Sequence, residues 1–177
     1  MIHVVNHDPA WPVAFEIEAE RIAQAAGDAV VRVHHIGSTA IPRTKAKPII
    51  DILLEVASLE ALDQKTPMFE ALGYEAMGEF GIPGRRYYRR DDPGGTRTHQ
   101  VHAFEVGVPN VTRHIAFRDY MRAHPLVAEE YGALKERLAN AHPNDLAAYM
   151  DGKDAFVKEH ERRALLGTSN TGVAPAA

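Results

Sequence analysis

Cysteine is absent from all 177 residues, which removes disulfides, thiolate metal sites and a cysteine nucleophile together. Any metal must then be held by oxygen or imidazole. Long apolar runs are missing too. The two richest, 29–33 and 48–54, are broken or bounded by Arg32, Lys47, Asp51 and Glu55, far short of the roughly 20 residues a bilayer demands. The opening MIHVVNHDPAW lacks the basic start, apolar centre and small-residue cleavage site of a secretory leader. A soluble, cytoplasmic protein with no membrane partner is expected. Nor is positive charge in excess: a net charge of -4 argues against a surface built throughout for nucleic acid, leaving room for a local basic patch. Large apolar groups are scarce in the closing GTSNTGVAPAA, so residues 167–177 are expected to form a disordered tail.

What is present fits one domain, expected over residues 1–166. With 45% hydrophobic residues the chain can fill a single core. In DPAWPVAFEIEAERIAQAAG, Asp8 is placed to cap a helix, Pro9 or Pro12 suits the first turn and Gly27 stops it. Phe15, Ala19, Ile22 and Ala26 form its buried stripe. AVVRVHHI reads as a strand ending at Gly37, followed by a basic loop to Lys47. PIIDILLEV has the near-continuous apolar pattern of a strand covered on both faces. Asp51 is out of place inside it. Helix resumes at Ser58, breaks near Pro67 and stops at Gly73. GRRYYRR and THQVHAFEV flank DDPGGTR as the arms of a hairpin. Three helices follow, from Asn110, from Pro125 and from Asn144 or Asp145, the last ending at Gly167. The class is α+β: a mixed sheet flanked by helices, with a C-terminal helical run and the strand order left open.

Gly37 and Ser38 leave the first strand in HHIGSTAIP, where glycine permits a sharp turn and a close backbone approach. Ser38 and Thr39 add hydroxyls and amides, while Arg43, Lys45 and Lys47 add positive charge, a combination suited to phosphate. Alone, such a loop is more often an ordinary turn. Asp51, fourteen residues after Gly37 on the next strand, sharpens the reading, because its carboxylate is placed to hold a divalent ion beside cradled phosphates. His102 offers a second metal ligand, whereas His99, three residues away, falls on the opposite strand face. A core histidine bonded to backbone is the bland alternative for each. His35 is read as support for the turn and His34 as a surface residue. Arg86 and Tyr88 share one strand face, with Arg85, Tyr87 and Arg89 on the other. The first pair is assigned to a nucleotide's phosphate and base, against a charge-guarded strand edge. Arg118 and Lys153 are placed as supporting residues, though solvated helix surfaces explain them nearly as well.

The run HIGSTAIPRTKAKPIIDILLEV closely resembles the signature of the GrpB (UPF0157-like) family, in which a histidine, IGST, a proline and KPIIDI recur in that order. RTHQVHAFE, RHIAFRDYMRAHPLVAEEYGALKERLA and YMDGKDAFV are similar to the family's later blocks, carrying the resemblance to about residue 162. The resemblance implies a nucleotidyltransferase-like fold, whose pattern is Gly-Ser after one strand and two carboxylates, two residues apart, on the next. It also implies a link with coenzyme A metabolism, since GrpB-like domains occur fused to dephospho-coenzyme A kinase. Leu53 stands where the second carboxylate belongs. Glu55 faces the same way but lies ~13 Å along the strand from Asp51, at ~3.3 Å per residue. Gln100 replaces a residue that is often histidine in the family, and His102 matches a later histidine. The expected function is that of a metal-dependent nucleotidyltransferase-like protein. Gly37 and Ser38 would hold the phosphates of a small nucleotide or phosphorylated cofactor, and Asp51, as the catalytic residue, would bind Mg, Mn or Zn together with His102. The alternatives are a non-catalytic nucleotide- or cofactor-binding module, or one that docks a cofactor-synthesis enzyme, and a hydrolase with an imidazole-bound metal. Binding is expected to be easier to detect than turnover.

Overall fold

A computed structural model describes residues 1–169. The first helix, α1 (Ala10–Ala26), begins where the Asp8 carboxylate accepts from the amide of Ala10 at 2.8 Å and ends at Gly27 in a positive-φ conformation. Then come β1 (Val30–Ile36), a 3-10 turn at Ser38–Ala40 and β2 (Ile50–Val56). Ser58 caps α2 (Leu59–Asp63) through the amide of Ala61, and Pro67 opens α3 (Thr66–Ala71) in its first turn. A two-residue strand, β3 (Glu75–Ala76), precedes the hairpin of β4 (Arg86–Asp91) and β5 (Arg97–Glu105). Three helices follow among the described residues: α4 (Pro109–Ala123), α5 (Pro125–Ala141) and α6 (Leu146–Ser169). Pro109, not Asn110, opens α4, and Asp145 caps α6 through the amide of Ala148. The helix runs past Gly167 to Ser169, and the expected disorder of residues 170–177 lies outside the described residues.

The sheet order is β1-β2-β5-β4-β3. Among the described residues only β2 and β5 run parallel, with Asp51 opposite Gln100 and Leu53 opposite His102; every other strand pair is antiparallel. The mixed sheet flanked by helices is thus the observed class. Strand alternation sorts β2 into two faces. Ile50, Ile52, Leu54 and Val56 join Trp11, Phe15, Ile22, Phe69 and Tyr88 in the main core beneath α1 and α3. Asp51, Leu53 and Glu55 face the other way, where Leu53 packs with Ile36, Phe104 and Val111 of α4. A third apolar cluster of Ile41, Met121, Ala128 and Tyr131 ties α4, α5 and α6 together. Leu53 is fully buried, so the residue in place of the second carboxylate is core, and burying a charge there would demand a partner.

One glycine fixes how closely the helical run meets the loop after β1. A Cβ on Gly132 of α5 would lie 2.8 Å from the backbone nitrogen of Lys45. Hydrogen there lets the basic loop press onto α5, which delivers Tyr131 and Lys135 beside the 3-10 turn. Among the described residues, no helix is long and apolar enough to cross a membrane.

Candidate functional site

Above the second face of the sheet, where α4 leaves the start of β2 uncovered, α5 and α6 enclose a cavity of about 190 Å³. Gly37, Ser38 and Thr39 line it from the turn, Lys47 and Ile49 from the strand approach, Asp51 and Gln100 from the sheet, Tyr131 and Lys135 from α5, and Tyr149 and Lys153 from α6. The turn is built for this closeness. Gly37 has φ 71 and ψ −175, a region that only glycine occupies freely. A Cβ there would meet the Asp51 Oδ2 at 2.6 Å, so the carboxylate rests against the bare glycine Cα. Behind the turn, the Thr39 hydroxyl donates to the Ile49 carbonyl (3.3 Å), leaving its lone pairs for the His35 Nε2–H at 2.9 Å. His35 stacks flat on Phe15. Arg118 donates to the His35 carbonyl and Arg122 to the Ala40 carbonyl. His35, Thr39 and Arg118 therefore hold the turn from behind. The Thr39 hydroxyl and the His35 Nε2 are thereby occupied within the protein, and Arg118 donates also to Asp119.

Three lysines enter the cavity against one carboxylate. Lys47 and Lys153 place their ammonium groups over the Tyr149 ring, 5.4 and 5.3 Å from its centroid, and Lys135 lies 4.3 Å from the centroid of Tyr131. Lys135 is 2% exposed, and its Nζ has no hydrogen-bond partner. Burial, together with the neighbouring Lys153 and Lys47 charges, pushes its pKa far below the ordinary lysine range. Burial and Lys47 likewise bring Lys153 down to about 8, while Asp51 opposes the shift. These are amines short of anionic partners. Burial also raises the Tyr149 hydroxyl to about 12.

His102 reaches Asp51, with Nε2 3.4 Å from Oδ1. On its other side the Arg85 guanidinium donates to Nδ1 at 3.4 Å. A guanidinium only donates, so Nδ1 is the acceptor and Nε2 carries the proton toward Asp51. His99 points to the opposite face, where Arg90 donates to it. Among the described residues, no group of three or more His, Cys, Asp or Glu side chains is placed to hold a metal. Asp51 and His102 remain a pair.

Other expected residues lie elsewhere. Arg86 is held bidentately by Asp63 at 2.7 and 2.9 Å, and Tyr88 is buried against Phe69 in the main core. They share a face, as alternation demands, but it is the face away from Asp51. Tyr87, from the other set, lies tilted against His102 with Arg85 over its ring. Lys45 leaves the cavity to pair with Glu136 at 2.6 Å. Glu55, as its distance implied, is remote from the site and bonds His34 and Arg32. Lys135 and Tyr131 are members that sequence reading did not single out as site residues. The available signal was Tyr131, Lys135 and Leu138 at helical spacing, which puts a lysine within the inward stripe of α5.

Burial sets a pH limit on the fold. It lowers His35 and His114 to about 4, helped by Arg122 and Arg113 respectively. Both rings are neutral in the fold, whereas the unfolded chain takes up protons near pH 6.5. Their contribution is complete above about pH 6.5 and is lost as pH falls toward 4. The melting midpoint should drop over that window, with a shallower slope for His114→Phe. Equal slopes for the two proteins would remove His114 from the account.

The model of the GrpB protein family matches residues 1–163. The UPF0157 protein YqkA of Bacillus subtilis is 45% identical over 92% of this chain, which spans only 47% of that relative. The crystal structure of the conserved protein GrpB from Enterococcus faecalis superposes with a TM-score of 0.89 at 45% identity, covering 94% of this chain and 99% of that one. Terminal uridylyl transferase 4 from Trypanosoma brucei, solved with bound dUTP, superposes with a TM-score of 0.52 at 11% identity over 83% of this chain and 52% of its own. That likeness places the sheet and helices in the nucleotidyltransferase-like fold.

Proposed function

Since the chain belongs to the GrpB family, we propose that it binds a phosphorylated nucleotide or cofactor at the cavity between Gly37 and Lys153. The observation that carries this reading is convergence. The turn after β1, the carboxylate of β2 and three lysines from separate elements meet in one small cavity. Such a cavity is smaller than the 300–1,000 Å³ usual for whole small-molecule sites, and so suits a ligand's phosphates, with the remainder outside. Ser38 would donate to a phosphate oxygen, Lys47 and Lys153 would pair with its charge, and Asp51 would set the boundary of the anionic part. The retained Asp51 beside Gly37 is what favours transfer chemistry as a second reading. Among the described residues no second anionic ligand stands beside Asp51 for a two-ion site, because Leu53 is core.

Calorimetry on a panel of nucleoside triphosphates and coenzyme A precursors tests the binding reading. The double substitution Ser38→Ala, Lys47→Ala should weaken the best ligand by about 10²-fold, the scale of two charge-assisted contacts. Equal affinity in the two proteins would put the ligand elsewhere. If pyrophosphate is released from any of these, Asp51→Asn should reduce the rate by about 10²-fold or more. Turnover untouched by that change would remove Asp51 from the chemistry.

A further inference from the structure

Resting on the binding reading above, we infer that this site holds a contiguous polyphosphate whose charge is neutralised by ammonium groups, the lysines standing where divalent ions would otherwise neutralise the phosphates. Three observations converge. First, the position of the second carboxylate is the fully buried Leu53. Second, the Arg85 contact turns the proton of His102 Nε2 toward Asp51, and a protonated nitrogen has no lone pair for a metal. One carboxylate is left, with no cluster of three ligands beside it among the described residues, so a hard cation there would take nearly all its oxygens from the phosphates and water rather than from the protein. Third, Asp51 faces Lys47, Lys135 and Lys153 across the same cavity. A divalent ion added to that set meets the Lys47 and Lys153 ammonium groups, whereas an anion meets them as partners and draws a proton onto the Lys135 amine.

Lys135 is the most telling of the three. Its Nζ is buried without a hydrogen bond, a state that costs stability in the free protein. Natural cores shed such groups unless they serve a site. Nothing acidic on α5 or α6 pairs with it in the structure, and its ring neighbour Tyr131 satisfies only a cation-π contact. An anionic chain reaching from Ser38 past Lys153 to the depth of Lys135 would supply the missing acceptor. A single phosphate has oxygens enough for several amines, so the count of lysines alone does not set the ligand; their spread around a cavity of about 190 Å³ does. Three amines set apart on three elements favour a chain of linked phosphates.

The probe is inorganic tripolyphosphate, compared with orthophosphate, measured by calorimetry in EDTA and again in Mg²⁺. We expect tripolyphosphate to bind in EDTA with an affinity within about twofold of that in Mg²⁺, and to exceed orthophosphate by about 10²-fold or more. Lys135→Met should lower tripolyphosphate affinity by about tenfold to hundredfold and raise the melting midpoint of the ligand-free protein. That opposite pair of shifts separates a binding lysine from a structural one. Lys153→Met provides the same loss of affinity should Lys135→Met fold poorly. Binding that requires Mg²⁺, or a Lys135→Met protein that binds as wild type, overturns the ammonium site while leaving the binding reading intact. No binding of tripolyphosphate or any nucleotide under either condition overturns both.

Discussion

Gly37→Ala should abolish ligand binding at the cavity and cost about 2–4 kcal/mol of stability, the scale of a disallowed backbone plus an overpacked contact. Two independent costs meet at this residue. Its φ of 71 with ψ −175 lies where a side chain collides with its own backbone. Its absent Cβ would also sit 2.6 Å from the Asp51 Oδ2 and 3.0 Å from the Asp51 Cβ. The carboxylate end can swing away, but the Cβ belongs to a strand paired on both sides, with β1 and β5. Relief therefore requires the turn to move, and with it Ser38. Urea midpoints give the stability loss, and calorimetry on the folded variant gives the binding. A variant within 1 kcal/mol of wild type and with unchanged affinity would show that the turn does not shape the site.

The parts of this site that sequence reveals are those fixed by short covalent distance. Gly37 and Ser38 follow β1 directly and Asp51 belongs to the next strand, β2, and the two strands pair so that Ile36 lies opposite Asp51. His102 was also legible, because alternation on β5 separates it from His99 and a single parallel pairing brings it to Asp51. The same alternation grouped Arg86 with Tyr88 correctly and said nothing of which face α1 and α3 would cover. That choice depends on where Phe69 and Tyr74 pack, a tertiary outcome with no local signature. Lys135 and Tyr131 were hidden for a related reason. Their position above the sheet follows from the closure of α5 on the Lys45 loop at Gly132. The strand order could not be read because β2 and β5 are joined through a long crossover that includes β3 and β4. β3, at two residues, is too short to leave a pattern.

Glu18→Ala should destabilise the protein by about 3–5 kcal/mol, the cost of breaking a buried ion pair by removing one partner, while leaving ligand affinity of the folded protein unchanged. Glu18 is 2% exposed on α1. It accepts from the Tyr74 hydroxyl at 2.8 Å, from Arg90 at 2.7 and 3.2 Å, and from Arg21 at 3.0 Å. Burial by itself would raise the carboxyl pKa, but the Tyr74 hydrogen bond and the Arg90 charge outweigh it and hold the pKa below the ordinary value. The stabilisation is thus complete above the unfolded carboxyl's pKa of about 4.3 and fades as pH falls through the folded value. Truncation leaves the Tyr74 hydroxyl without its acceptor. It also leaves Arg90, 17% exposed at its side chain, with the Leu72 carbonyl, His99 and the face of the Tyr74 ring. Those weak acceptors cannot replace a carboxylate. Replacing both members, Glu18→Leu with Arg90→Leu, should recover part of the loss, because no charge is then stranded in the core. The network lies across the sheet from Asp51, on the face of Ile52 and Val101. A stability defect with intact binding is therefore the signature of its role. Urea denaturation of the two variants and the wild type, with calorimetry on Glu18→Ala, measures both. A loss below about 1 kcal/mol would show that the pair is not a structural tie between α1 and β4.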